Sequence, residues 1–157
     1  MVSKLELQHN DNFLNTTVTT MIDGEKTFNN SYVIEMISVR DLKEIRCFVT
    51  YSVLALNGNI QNKLFSRSFD LCQFFRRPNM DRLMKLFYDY LMATSTMPSV
   101  CPVPKGFRAQ LNVVLTKIPI PGFFPESDFL VDVNLYTGLR QVPMLESRWI
   151  GRIQKIN

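Results

Sequence analysis

Cys47, Cys72 and Cys101 are the residues whose chemistry this chain leaves most open. Thiols can ligate zinc, act as nucleophiles or pair as a disulfide. Zinc ligands come at short spacings, and no two of these cysteines form a CxxC pair. The single histidine, His9, is remote in sequence from all three, which argues against a metal centre. Catalysis lacks its parts as well. A dyad or triad needs a base, and His9 lies in what reads as an N-terminal fringe. The six glycines, at 24, 58, 106, 122, 138 and 151, are isolated, so there is no phosphate-cradling loop. Asp128 and Asp132 share one strand face as an acid–base pair would, but nothing accompanies them, and they read as solvated carboxylates. The chain reads as a non-enzyme without metal or cofactor. One bridge among three cysteines can be drawn three ways, and free buried thiols are the alternative.

A chain of 157 residues is long enough for one domain with a real core. Its 46% apolar and 20% charged residues are ordinary for a folded domain and argue against disorder. The net charge of +4 is compatible with an anionic surface but names no partner. The uncharged run Cys47 to Asn62 contains Asn57-Gly58-Asn59, so it reads as strand and turn, not as a membrane span. "MVSKLELQHN" has no apolar core of a secretory signal. The chain is therefore intracellular, a mature form, or one that lacks its true start. Sequons at Asn15-Thr16-Thr17 and Asn29-Asn30-Ser31, both in polar stretches, are candidate glycosylation sites of an exported form.

The elements around these residues are mostly strands. Apolar residues recur at period two through Leu5 and Leu7, and again from Val18 to Ile22, ahead of an Asp23-Gly24 turn. Tyr32 to Val39 is apolar on both faces. The longest run, Lys43 to Leu56, puts Ile45, Cys47, Val49, Tyr51 and Val53 on one face and Arg46, Thr50 and Ser52 on the other. Its Asn57-Gly58 turn and the run Ile60 to Phe69 predict a hairpin. Cys47 shares the apolar parity and should point into the core. Alternation returns in Phe107, Ala109, Leu111, Val113 and Leu115, then in Phe129, Val131, Val133 and Leu135, and finally in Trp149 and Ile153. Pro119, Pro121 and Pro125 keep "IPIPGFFPES" out of any interior ladder, so it reads as a rim loop carrying an exposed pair, Phe123 and Phe124. About seven to nine short strands predict a single mainly β domain, an immunoglobulin-like antiparallel β-sandwich or cup.

One helix interrupts this pattern. Pro78 ends what precedes it, Asn79 reads as its N-cap, and Met80, Leu83, Met84, Phe87 and Leu91 form its apolar stripe. Arg82, Lys85 and Asp89 take the other side. Arg76, Arg77, Arg82 and Lys85 are suited to lipid head groups or an acidic partner, although a solvated helix face explains them as well. Aromatics at apolar strand parity, not interleaved with arginine, argue against nucleic-acid binding.

Phe69-Asp70-Leu71-Cys72-Gln73-Phe74-Phe75, a helix, then Cys101-Pro102 with Lys105-Gly106 resembles a large insect family of small secreted proteins known as a domain of unknown function. That family is similar to the CheB chemosensory proteins and, through them, to the ganglioside activator and the ML lipid-recognition superfamily. The resemblance spans about residues 41–156 of the single domain 1–157, including Pro119 to Pro125 and "FLVDVNLY". It implies a Cys72–Cys101 disulfide bracketing the helix, secretion, and an ML-like cup whose sheets part at one end to admit a lipid or pheromone-like ligand. Such a pocket would be lined by Phe87, Phe107, Leu111, Val113, Phe129, Val131, Val133 and Trp149. A receptor or membrane surface is a further implied partner. The same side chains would equally fill a closed core, leaving an extracellular interaction module.

Overall fold

The computed structural model describes residues 2–22, 30–57, 59–114, 118–138 and 140–153. In chain order the strands are β1 (Val2–His9), β2 (Leu14–Ile22), β3 (Asn30–Ser38), β4 (Arg46–Leu54), β5 (Ile60–Asp70), β6 (Arg108–Val114), β7 (Ser127–Thr137) and β8 (Val142–Ile153). Helices α1 (Leu71–Arg76) and α2 (Arg82–Thr94) lie between β5 and β6. Two antiparallel sheets result, a five-stranded one in the order β1-β8-β7-β4-β5 and a three-stranded one in the order β2-β3-β6. The domain is a mainly β sandwich.

The β4–β5 hairpin forms as the alternation requires. Asn57 Oδ1 accepts the Asn59 amide across the turn, and Ala55 N donates to Asn59 O. The β2–β3 pair runs in unbroken register from Leu14↔Ser38 to Ile22↔Asn30, while the Asp23-Gly24 turn lies outside the described residues. Cys47 and Tyr51 are buried on the inner face of β4. The outer face is less polar than its sequence implies. Ser52 and Leu130 pair across β4 and β7 and are both buried. Asp128 and Asp132 are also not simply solvated. Each faces an arginine of β8 in register, Arg152 at 2.6 Å and Arg148 at 2.9 Å. The Arg152 hydrogen bond holds the Asp128 carboxyl below its ordinary pKa.

The helical segment differs from the expected single helix. Asp70 caps α1, its Oδ1 accepting Gln73 N at 3.1 Å, and Cys72 sits inside this short helix. Pro78 then opens a 3-10 turn over Pro78–Met80, which absorbs Asn79. The N-cap of α2 is therefore Asp81, whose Oδ1 accepts Met84 N at 3.1 Å. Met80, expected on the apolar stripe, is exposed. Met84 is buried, and Leu83, Phe87 and Leu91 are half-buried.

Helix α2 and the residues after it seal the free edge of β6. Tyr90 Oη donates to Val114 O and accepts from Val114 N. Asn112 N donates to Ser95 Oγ, and Thr96 and Gln110 exchange two backbone hydrogen bonds. Groups that an edge strand would leave open are thereby satisfied. At its other end the segment meets β5 through Phe69 and Phe74, and Phe74 in turn packs edge-on against Tyr88. Cys72 and Cys101 form a disulfide, and Cys47 remains a buried free thiol.

Phe74 is 1% exposed, whereas Lys85 pairs with Asp89 on the surface. Denaturant titration should rank Phe74→Ala, at about 3–5 kcal/mol, above Phe87→Ala, with Lys85→Ala below about 0.5 kcal/mol. Equal losses at Phe74 and Lys85 would contradict this packing.

Candidate functional site

Inner-face side chains gather into two clusters. One joins Leu14, Leu42, Ile45, Cys72, Val103, Met144 and Leu145 at the disulfide end. The other joins Tyr32, Tyr51, Val113, Phe124, Phe129 and Ile153, with Leu111, Val131, Trp149 and Leu91 packed against it. Of the pocket residues expected from the sequence, Leu111, Val113, Phe129, Val131 and Trp149 meet in this aromatic cluster. Phe107 packs instead on the disulfide-end cluster. Phe87 and Val133 are half-buried and are members of neither as described.

Strand parity explains the assembly. Tyr51 faces Val131 across β4 and β7, and Phe129 faces Val53, so Tyr51 and Phe129 stack diagonally at 5.7 Å. Phe65 of β5 stacks on Tyr51 from the other side, also at 5.7 Å. Tyr32 of β3 meets the Trp149 ring edge-on at 5.7 Å, joining the two sheets. Trp149 Nε1 donates to Ser147 Oγ, which itself donates to Val133 O, so the indole is satisfied.

One buried member comes from neither sheet. Phe124 belongs to the proline-rich loop and is 2% exposed, with its ring 4.8 Å from Tyr51. Phe123, its neighbour, is 75% exposed. The expected exposed pair is therefore one surface residue and one plug. Within the loop Phe124 N donates to Pro121 O. A side chain inserted from such a loop can leave without breaking a strand ladder.

The hydroxyl of Tyr51 is the polar feature of this cluster. The residue is 4% exposed, and its Oη has no hydrogen-bond partner among the described residues. Its phenol is a neutral donor at ordinary pH, and burial pushes its pKa up further, to about 12. Ser127 Oγ, two residues from Phe129 and opposite Ile153, is likewise buried without a partner. Buried hydroxyls in folded proteins are nearly always bonded, so two at one end of a core mark it as chemically unusual. Sequence parity places Tyr51 inward but carries no signal for an unmatched hydroxyl.

Other features point elsewhere. Two surface clefts of about 180 and 260 Å³ are polar, one walled by Glu6, Asp132, Glu146 and Arg148, the other by Glu44, Arg46 and Asp70. Neither is lined by a residue of the aromatic cluster. His9 is not a fringe residue: it ends β1, with its Nε2 2.8 Å from Asp11 Oδ1 and its Nδ1 2.6 Å from Thr16 Oγ1 of β2. It thus ties the two sheets together. Arg76, Arg77 and Arg82 are exposed. Among the described residues no group of three or more His, Cys, Asp or Glu could hold a metal ion, and no helix is long and apolar enough to cross a membrane.

A family model described as "Protein of unknown function (DUF1091)" matches residues 46–131, from the start of β4 into β7 and across both bridged cysteines. No curated protein matches the chain. Among solved structures, chicken MD-1 complexed with lipid IVa is similar with a TM-score of 0.45 at 14% identity, over 96% of this chain and 90% of that one. The C-terminal domain of wzt is similar with a TM-score of 0.42 at 10% identity, over 99% of this chain and 81% of that one.

Burial of Tyr51 and Cys47, both raised to about 12, contributes to the alkaline behaviour. In the unfolded chain these groups ionise near 10.0 and 9.0, so there the unfolded state binds fewer protons. Their contribution is full below those values and is lost as pH rises toward about 12. The urea midpoint should fall through that window, and less steeply in Tyr51→Phe and Cys47→Ala than in the parent. Parallel pH profiles in all three proteins would contradict the burial of these groups.

Proposed function

The chain belongs to the DUF1091 family of proteins of unknown function, and from that premise we propose that it is a secreted, non-enzymatic binder of a small hydrophobic ligand such as a lipid, held between the sheets at the Phe124 end. The observation that carries this reading is the origin of Phe124. The ring completing the aromatic cluster sits on a loop outside both ladders, so a ligand that replaces it takes over the ring's burial and contacts and breaks no strand pairing. Phe129, Val131, Val113, Leu111 and Trp149 then form the apolar wall, as ligand sites generally require.

Secretion is supported by the Cys72–Cys101 bridge, because disulfides persist in oxidising compartments. Asn15 lies exposed on β2, an edge strand, where a glycan fits. The second proposed glycosylation site, Asn29, lies outside the described residues. Carriage of a pheromone-like molecule in chemosensory tissue is the finer form of the same proposal.

The tight packing of Phe124 favours a second reading, an extracellular interaction module with a filled core. Exposed apolar side chains such as Phe123 and Val100 would then contact a receptor or a membrane surface.

Val131→Trp separates the two. Native mass spectrometry of the full chain with the fluorescent probe N-phenylnaphthylamine should give a one-to-one complex. In the Val131→Trp variant the complex should be lost while the unfolding midpoint is kept. A parent protein that takes up no probe, joined with a variant destabilised by about 1–3 kcal/mol through overpacking, would favour the filled core.

A further inference from the structure

We infer that the ligand is uncharged and carries an oxygen acceptor, of the ester or ketone kind, that takes a hydrogen bond from Tyr51 Oη. This rests on the reading of the aromatic cluster as the ligand site and names what that site selects.

Three rings, Phe65, Phe124 and Phe129, surround the Tyr51 ring within 5.7 Å. They hold the phenol in place and keep it out of water. Its hydroxyl is the donor left over, buried and without a partner among the described residues. A hydrocarbon entering this site would leave that donor unmatched, whereas a carbonyl oxygen would satisfy it. Sites with a built-in polar group discriminate by this asymmetry. Ser127 Oγ, on the same face of β7 as Phe129, is a second buried hydroxyl without a partner among the described residues.

The environment also selects against charge. The buried polar residues described are Ser38, Ser52 and Ser147, none of them ionisable. The guanidinium of Arg67 lies 5.5 Å from the Phe65 ring but is engaged by Asp81 at 3.3 Å and stays partly in water. A carboxylate buried beside Tyr51 would therefore lose its hydration without gaining a cation.

Displacement of N-phenylnaphthylamine from the full chain by methyl decanoate, decane and decanoate tests this. Methyl decanoate should displace the probe at about tenfold lower concentration than decane or decanoate, the worth of one hydrogen bond. In Tyr51→Phe the advantage over decane should vanish, and the unfolding midpoint should not fall. Equal competition by methyl decanoate and decane in the parent would overturn the inference and leave the binding site standing. So would an ester preference that survives Tyr51→Phe, or tighter binding of decanoate than of its ester. A lowered midpoint in Tyr51→Phe without any ester preference would assign the hydroxyl to internal water and overturn the inference too. Failure of the probe and all three competitors to bind would remove the site reading and this inference together.

Discussion

A three-stranded sheet cannot cover a five-stranded one. Strands lie about 4.8 Å apart, so the smaller sheet falls short by about 10 Å, and segments that are not strands must cover the remainder. This mismatch governs the molecule. The helical segment spans from β5, through Phe69 and Phe74, to β6, through Tyr90 and Ser95. A segment belonging to no ladder needs a tether. The Cys72–Cys101 disulfide supplies it, closing a sequence separation of 29, for which chain entropy gives about 3–4 kcal/mol. The bridge joins α1 to the stretch entering β6, whose Val103 exchanges backbone hydrogen bonds with Leu42.

Phe124 is another side chain from outside the ladders. Its loop ring packs on Tyr51 and Phe65 and closes the aromatic cluster. The disulfide end is locked covalently, and the aromatic end is closed by a side chain from a loop. The two ends therefore differ in what holds them, and the unmatched hydroxyls lie at the end closed by the loop side chain.

How much of this the sequence carried follows from which signals are local. The β4–β5 hairpin was legible because alternation and an Asn-Gly turn sit side by side, and the inward parity of Tyr51, Phe129 and Val131 came with it. The Cys72–Cys101 pairing came from resemblance, since spacing left three choices. The cap of α2 was misread because Asn79 and Asp81 are both good caps, and only the 3-10 turn opened by Pro78 decides between them. Helix α1 is too short to show a period. Phe123 and Phe124 are identical neighbours in a loop without periodicity, so nothing local says which turns inward. Pairing of β1 with β8, and the separation of Phe107 from the aromatic cluster, depend on contacts distant in sequence.

The proposed function stands on uptake of an apolar ligand at the Phe124 end of the inter-sheet space. Nuclear Overhauser contacts between methyl decanoate and the aromatic protons of the full chain test it most directly. Contacts from the ligand chain to the Tyr51 and Phe129 rings are expected, together with a large shift of the Phe124 ring resonances as it yields its place. Ligand contacts confined to surface residues such as Phe123, with Phe124 resonances unmoved, would contradict it.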